Sequence, residues 1–123
     1  MENWTLTWTR LTSLNEETIN AIESGLPGVY RLSYKSLQDG SYYVFYVGRA
    51  EDLKQRLLAH LSPTEENVCI KNYLEQFDCY FRYAIVENEK VRGAAEKQMF
   101  KQYQPVCNIS EPDGPEDIQV NLD

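Results

Sequence analysis

The run Tyr46-Val47-Gly48-Arg49-Ala50-Glu51-Asp52-Leu53-Lys54-Gln55-Arg56-Leu57-Leu58-Ala59-His60-Leu61 leaves this chain few ways to fold. It begins as a strand, reads as turning at Gly48, and continues as a helix over 50–61. Leu53, Leu57, Leu58 and Leu61 recur there at helical spacing and define one buried stripe. Arg56 and His60 stand four apart, so they share a helix face and border that stripe. Tyr46, at the end of the feeding strand, can point across the same opening. A phenol, a guanidinium and an imidazole at one strand-to-helix corner suit a phosphate better than a core. Taken alone, however, Arg and His at this spacing read as a solvated helix face.

The neighbouring segments give this corner its frame. The β-formers at 28–34 and 42–47 flank an Asp39-Gly40 turn signal and form a hairpin. A register whose paired numbers sum to an even value puts Tyr30 and Tyr46 on one face. Upstream, 1–12 alternates in part (Trp4, Leu6, Trp8) as a short strand or extended lead-in. Ser13 and Glu16 resemble a capping box for a helix over 15–24, stopped by Gly25 and Pro27. Downstream, Ser62-Pro63-Thr64-Glu65 has the pattern of a helix start, predicting a helix over 63–76 lined by Val68, Tyr73, Leu74 and Phe77. A strand follows over 79–86. Asn88 caps a last helix over 89–103, in which Val91, Ala94, Ala95, Met99 and Tyr103 face inward and Glu96 has the mid-helix place of an ordinary surface residue.

At 123 residues the chain has room for one domain and one core. It has no membrane-length apolar run and no basic-then-apolar leader pattern, so the cytoplasm is the expected compartment and a membrane is not an expected partner. Cys69, Cys79 and Cys107 are far apart, odd in number and accompanied by a single histidine. They make a poor zinc set and read as buried free thiols. The formal charge of −7 is uneven: 27–108 carries a net +1, while the flanks before and after carry −3 and −5. No basic stripe is present to grip DNA tightly by itself. From Glu111 onward Pro, Gly and acids dominate, which reads as a mobile acidic tail that repels DNA. Ile118, Val120 and Leu122 alternate within it and leave an edge strand as the other option.

Together these pieces resemble the GIY-YIG nuclease family. Gly28-Val29-Tyr30 and Tyr46-Val47-Gly48 match its two name motifs. Arg56 and His60 match the arginine and, one turn on, the histidine of its helix. Glu96 matches the glutamate of its later helix, and Tyr103-Gln104-Pro105-Val106-Cys107-Asn108 matches its closing segment. The resemblance spans about 27–108, with 1–26 as an extension and 109–123 as the tail. It implies an α+β fold, a small antiparallel sheet (the hairpin plus the later strand) flanked by helices; the sequence signals independently support the hairpin and four helices.

The implied activity is DNA endonuclease chemistry with one divalent cation, Mg²⁺ or Mn²⁺, held by Glu96. Arg56 would clamp a phosphate oxygen. Tyr30 would orient or deprotonate the attacking water, its pKa lowered by the arginine and the cation. Tyr46 and His60 would position the phosphate or share the proton traffic, and Arg49 and Asn108 would bind substrate or brace the site. Ser33 stands where the excision-repair branch often has lysine, with Lys35 two residues on, so the identity of the general base stays open. Two rivals remain: a catalytically silent fold that binds DNA or protein, and a nuclease subunit whose specificity comes from a protein partner.

Overall fold

The computed structural model describes residues 1–122. Its elements are β1 (Glu2–Thr5), β2 (Thr12–Ser13), α1 (Glu16–Asn20), β3 (Gly28–Lys35), β4 (Tyr42–Ala50), α2 (Leu53–Leu61), α3 (Val68–Gln76), β5 (Cys79–Ile85), α4 (Glu89–Tyr103) and β6 (Ile118–Asn121). An antiparallel sheet has the order β2-β5-β3-β4, and β1 pairs with β6 in a separate parallel ribbon. The fold class is the expected α+β, an antiparallel sheet flanked by helices. Among the described residues, no helix is long and apolar enough to cross a membrane.

Side-chain alternation in β3 divides the interior in two. Val29 joins Val47, Ala84 and the apolar residues of α4 on one face, together with Ile118, Val120 and Leu122 from the C-terminal segment. Tyr30 and Leu32 face the other way, into a second cluster with Ile19 of α1, Leu53 and Leu57 of α2 and Ile70 of α3. The single core expected from chain length is therefore a pair of layers with the sheet between them.

The hairpin register decides which residues meet at the site. Tyr30 pairs with Gly48 and Leu32 with Tyr46, so these pairs have the even sum that puts Tyr30 and Tyr46 on one face. Between Leu32 and Ser33 the register slips by one, and Ser33 pairs with Val44. Phe45 is the extra residue of this bulge. Both Phe45 and Tyr46 consequently pack toward the second cluster, where strict alternation would have separated them. Phe45 is fully buried and stacks on Tyr73 of α3 at a centroid distance of 4.7 Å.

Several local expectations are corrected. Gly48 is not a turn: β4 runs through it to Ala50, and α2 begins only at Leu53, capped by Asp52. Glycine is needed there because the Tyr30 ring lies against its α-carbon, and a Cβ would collide with the phenolic oxygen. α1 is capped by Asn15, not Ser13, and ends at Asn20. α3 starts at Val68 under an Asn67 cap, so 62–67 is loop; Val68 is exposed and Ile70 is its buried residue. α4 has the bounds expected, with Gln104 in the left-handed region closing it before Pro105.

Cys69 and Cys107 form a disulfide, against the expectation of free thiols, while Cys79 is free and buried, its thiol pushed up to about 11 by burial. The first turn of α3 and the segment returning after α4 bring two cysteines separated by 38 residues together, a proximity that spacing along the chain does not reveal. Closing a loop of that length removes chain entropy from the unfolded state worth about 3–4 kcal/mol. We expect reductant to lower the wild-type melting temperature by about 10 °C or more. Cys69→Ser should start from the lower value and ignore reductant; a wild-type melt unchanged by reduction would show that the bond contributes little.

The tail is not a free appendage over its whole length. Ile118, Val120 and Leu122 are buried against α4. The Gln98 side chain holds the strand from both sides: its Nε2 donates to Val120 O at 2.9 Å, and its Oε1 accepts from Val120 N at 2.7 Å. The alternation of the three apolar residues thus outweighs the acidic composition around them, and the edge-strand option is the one observed.

Candidate active site

Tyr30 on β3, Tyr46 on β4, and Arg56 and His60 on α2 converge on the sheet face that α2 covers. The Tyr30 hydroxyl lies 2.7 Å from His60 Nε2. The Tyr46 ring stands edge-on to the imidazole at 5.3 Å and 6.2 Å from the Tyr30 ring. The Arg56 guanidinium lies beside both phenols, close enough for each to act on its charge. His60 and Arg56 are brought together because one helical turn separates them while Leu53 and Leu57 pull that side of α2 onto the sheet.

α4 packs on the opposite face, yet Glu96 reaches the same opening around the β4 edge. Its side chain is 13% exposed, and Oε1 lies 3.3 Å from Arg49 Nε. Glu96, Tyr46, Asn67 and Asn108 line one cleft. Tyr46 is also a wall of a larger one, about 540 Å³, shared with Arg56, Glu65, Asn67 and Ile109. The two clefts therefore share Tyr46, Asn67 and Ile109 as walls. Burial raises the pKa of Glu96, and Arg49 and Arg56 oppose that shift.

Asn108 is committed to the backbone. Its Oδ1 accepts from Val47 N at 3.0 Å and its Nδ2 donates to Val47 O at 2.9 Å, so the side chain completes β4 beside Tyr46 like a short piece of neighbouring strand. Cys107 N donates to Phe45 O at 2.9 Å and extends the same pairing. Arg49 also donates through Nη1 to Asp113 O at 3.0 Å, which ties the segment after Asn108 to the site.

Two findings go beyond the sequence reading. Burial, the largest influence on the Tyr30 phenol, raises its pKa far above the ordinary value; Arg56 lowers it, as expected, but is outweighed. Tyr30 therefore stays protonated at neutral pH, with its hydroxyl in hydrogen-bond reach of His60 Nε2. The second is Glu65. Read along the chain as the third residue of a helix, it lies in the loop before α3, and its Oε2 is 3.3 Å from His60 Nδ1. The helix-start pattern hid it, and only the way 62–67 folds back over α2 reveals the contact. The imidazole itself is held neutral: burial lowers its pKa to about 4, Glu65 raises it and Arg56 lowers it.

Comparison with known proteins bears on the same residues. The UvrC-like GIY-YIG domain matches residues 26–109, the segment that holds every residue of this site. This chain belongs to the GIY-YIG family. Among UvrABC system C proteins, that of Rickettsia akari is 31% identical over 105 residues, covering 85% of this chain. The protein from Solibacter usitatus is 36% identical over 83 residues, covering 68% of this chain. The chain spans only 15% and 12% of the lengths of those two relatives.

The GIY-YIG fold is matched in three dimensions as well. The N-terminal GIY-YIG endonuclease domain of UvrC from Thermotoga maritima, solved with magnesium as its catalytic divalent cation, superposes with a TM-score of 0.56 at 27% identity. The match covers 76% of this chain and 98% of that domain.

Proposed function

We propose that this chain is a metal-dependent DNA endonuclease that hydrolyses phosphodiester bonds, with 27–108 as its catalytic unit. The observation that carries this reading is the convergence of Tyr30, Tyr46, Arg56 and His60 on one side of the β4 edge with the carboxylate of Glu96 on the other. Among the described residues, no three His, Cys, Asp or Glu side chains gather into a metal cage. A lone carboxylate in an open cleft fits a hard cation that keeps most of its waters, so Glu96 is the residue to hold Mg²⁺ or Mn²⁺. When bound, the cation supplies charge relief at the phosphate and an acidic water near the leaving oxygen.

The chain's own groups do the rest. Arg56, presented between the two phenols, clamps a non-bridging phosphate oxygen through its planar fork. Tyr46 flanks the phosphate. The Tyr30 oxygen takes a proton from the attacking water as its own proton passes to His60 Nε2. The water oxygen bonds to phosphorus, the P–O3′ bond breaks with its electron pair on O3′, and O3′ is protonated by water. With Ser33 in place of a lysine, the Tyr30–His60 pair is the base, and Asn108 braces β4.

The test is to incubate plasmid, branched DNA and single strands with the chain and Mg²⁺ or Mn²⁺. Metal-dependent cleavage supports the reading. Binding without cleavage would favour a silent DNA-binding module, and cleavage only with a protein partner a targeted subunit. We take the cytoplasm as the compartment and DNA as the substrate. A partner supplying specificity remains part of the proposal because the core is near neutral in charge.

Arg56→Lys should not behave as a conservative change. Lysine keeps the charge but loses the two-pronged donor geometry, so turnover should fall on the order of 10²-fold with a small change in KM. Single-turnover kinetics measure this, and normal turnover in the lysine variant would make Arg56 a surface charge.

A further inference from the structure

His60 and Glu65 are both withdrawn from water, the imidazole completely and the carboxylate to 10% exposure of its side chain. A neutral imidazole carries one ring proton, and its neighbours decide which nitrogen holds it. Nε2 faces the Tyr30 hydroxyl at 2.7 Å, a group able to donate or accept. Nδ1 faces Glu65 Oε2 at 3.3 Å, off the line of a well-formed hydrogen bond, and among the described residues it has no other acceptor. A carboxylate can only accept. With the proton on Nδ1, N–H faces negative oxygen; with the proton on Nε2, the Nδ1 lone pair would face that oxygen in a dry site where like polarity is costly.

The carboxylate is also held in place. Its other oxygen, Oε1, accepts from Asn67 N at 3.2 Å. The turn that carries it is closed by Glu65 N donating to Ser62 O at 3.0 Å. Asn67 in turn caps α3 through Ile70 N and donates through Nδ2 to Cys107 O at 2.9 Å. Each Glu65 oxygen thus has its own neighbour.

From this geometry we propose that Glu65 is a positioning residue whose carboxylate fixes His60 as the Nδ1–H tautomer, leaving Nε2 bare to receive the Tyr30 proton. The tautomer follows from the contacts alone; its consequence for cleavage rests on the nuclease reading above. During the transfer the O–H bond of Tyr30 breaks and an Nε2–H bond forms. The resulting imidazolium lies between Glu65, which favours it, and the Arg56 guanidinium, which does not. Among the described residues, Tyr30 and Tyr46 are the remaining titratable groups packed against the ring.

His60 is the one histidine in the chain, so a protein with ¹⁵N-labelled histidine shows a single pair of ring nitrogens. Long-range proton–nitrogen correlation at pH 7 should find Nδ1 protonated and Nε2 bare in the wild type. Glu65→Gln is nearly isosteric and makes a sharper demand. Asn67 N requires an acceptor, so the glutamine oxygen takes the place of Oε1 and its NH₂ turns toward Nδ1. Nδ1 must then accept, and the ring proton should move to Nε2.

Turnover of DNA should fall on the order of 10²–10⁴-fold with KM within about twofold. Glu65→Ala serves as a second variant, with a mixture of tautomers expected. A wild type protonated on Nε2, or a Glu65→Gln ring still protonated only on Nδ1, would overturn the assignment. Inversion of the tautomer with unchanged turnover would overturn the positioning role. If the wild type cleaves no DNA, the nuclease reading and the catalytic role fall together, while the nitrogen spectra still decide the tautomer.

Discussion

Glu96→Gln should abolish metal-dependent cleavage while leaving the protein folded. The glutamate lies midway along α4, where its side chain faces Arg49 and the cleft walled by Tyr46 and Asn108. Glutamine has the same shape, so the packing of Ala94, Ala95 and Met99 around it is undisturbed. What is lost is the negative charge. An amide oxygen cannot hold a hydrated divalent cation against bulk water, and the charge relief such an ion gives a phosphoryl transition state is worth several kcal/mol. A loss of turnover on the order of 10³-fold or more follows.

The cost in stability should be small. The pair with Arg49 is broken, but the Arg49 side chain is 41% exposed and water screens the interaction. Cleavage assays over a range of Mg²⁺ and Mn²⁺ concentrations, with thermal melts of the same samples, check both halves. A glutamine variant that cleaves at the wild-type rate would remove Glu96 from the site. One that is inactive but also unfolded would be replaced by Glu96→Ala for the same comparison.

Removing residues 117–123 should unfold much of the face packed on α4. Ile118, Val120 and Leu122 are buried there at 8%, 1% and 6% exposure, and β6 is the partner of β1. Burying one such side chain is worth about 1.5–3 kcal/mol, so losing three removes a large part of the roughly 5–15 kcal/mol that holds an ordinary domain together. The melting temperature should drop by roughly 15 °C or more.

The electrostatic role read from composition needs a gentler variant. Neutralising the exposed acids Glu111, Asp113 and Asp117 leaves β6 intact and should tighten binding to random duplex DNA at low salt, with little change in melting temperature. Glu116 is left in place because it pairs with Lys97 of α4 at 2.9 Å. A truncated chain that melts like the wild type would show that the parallel ribbon contributes nothing.

Residues that carry short-range instructions are legible in the sequence itself. α4 runs from an asparagine cap to a left-handed residue just before proline, and all three are local devices whose physics needs no distant partner. The hairpin follows from two β-forming runs around Asp39-Gly40. The shared face of Arg56 and His60 follows from helical pitch alone. The motifs around Tyr30, Tyr46, Glu96 and Asn108 carried the family, and the fold class with it.

What the tertiary structure decided is what depends on chain segments distant in sequence. The bulge at Phe45 answers to Tyr73 on α3, and Gly48 lies within a strand because the Tyr30 ring occupies the space of its missing side chain. Cys69 and Cys107 bond across 38 residues, and β1 and β6 join the two ends of the chain. Glu65 had the pattern of a helix start, yet the loop folded over α2 and set its carboxylate against an imidazole. Local propensity is worth tenths of a kcal/mol per residue. Burial and long-range pairing are worth several times more, so where the two compete the tertiary contact wins.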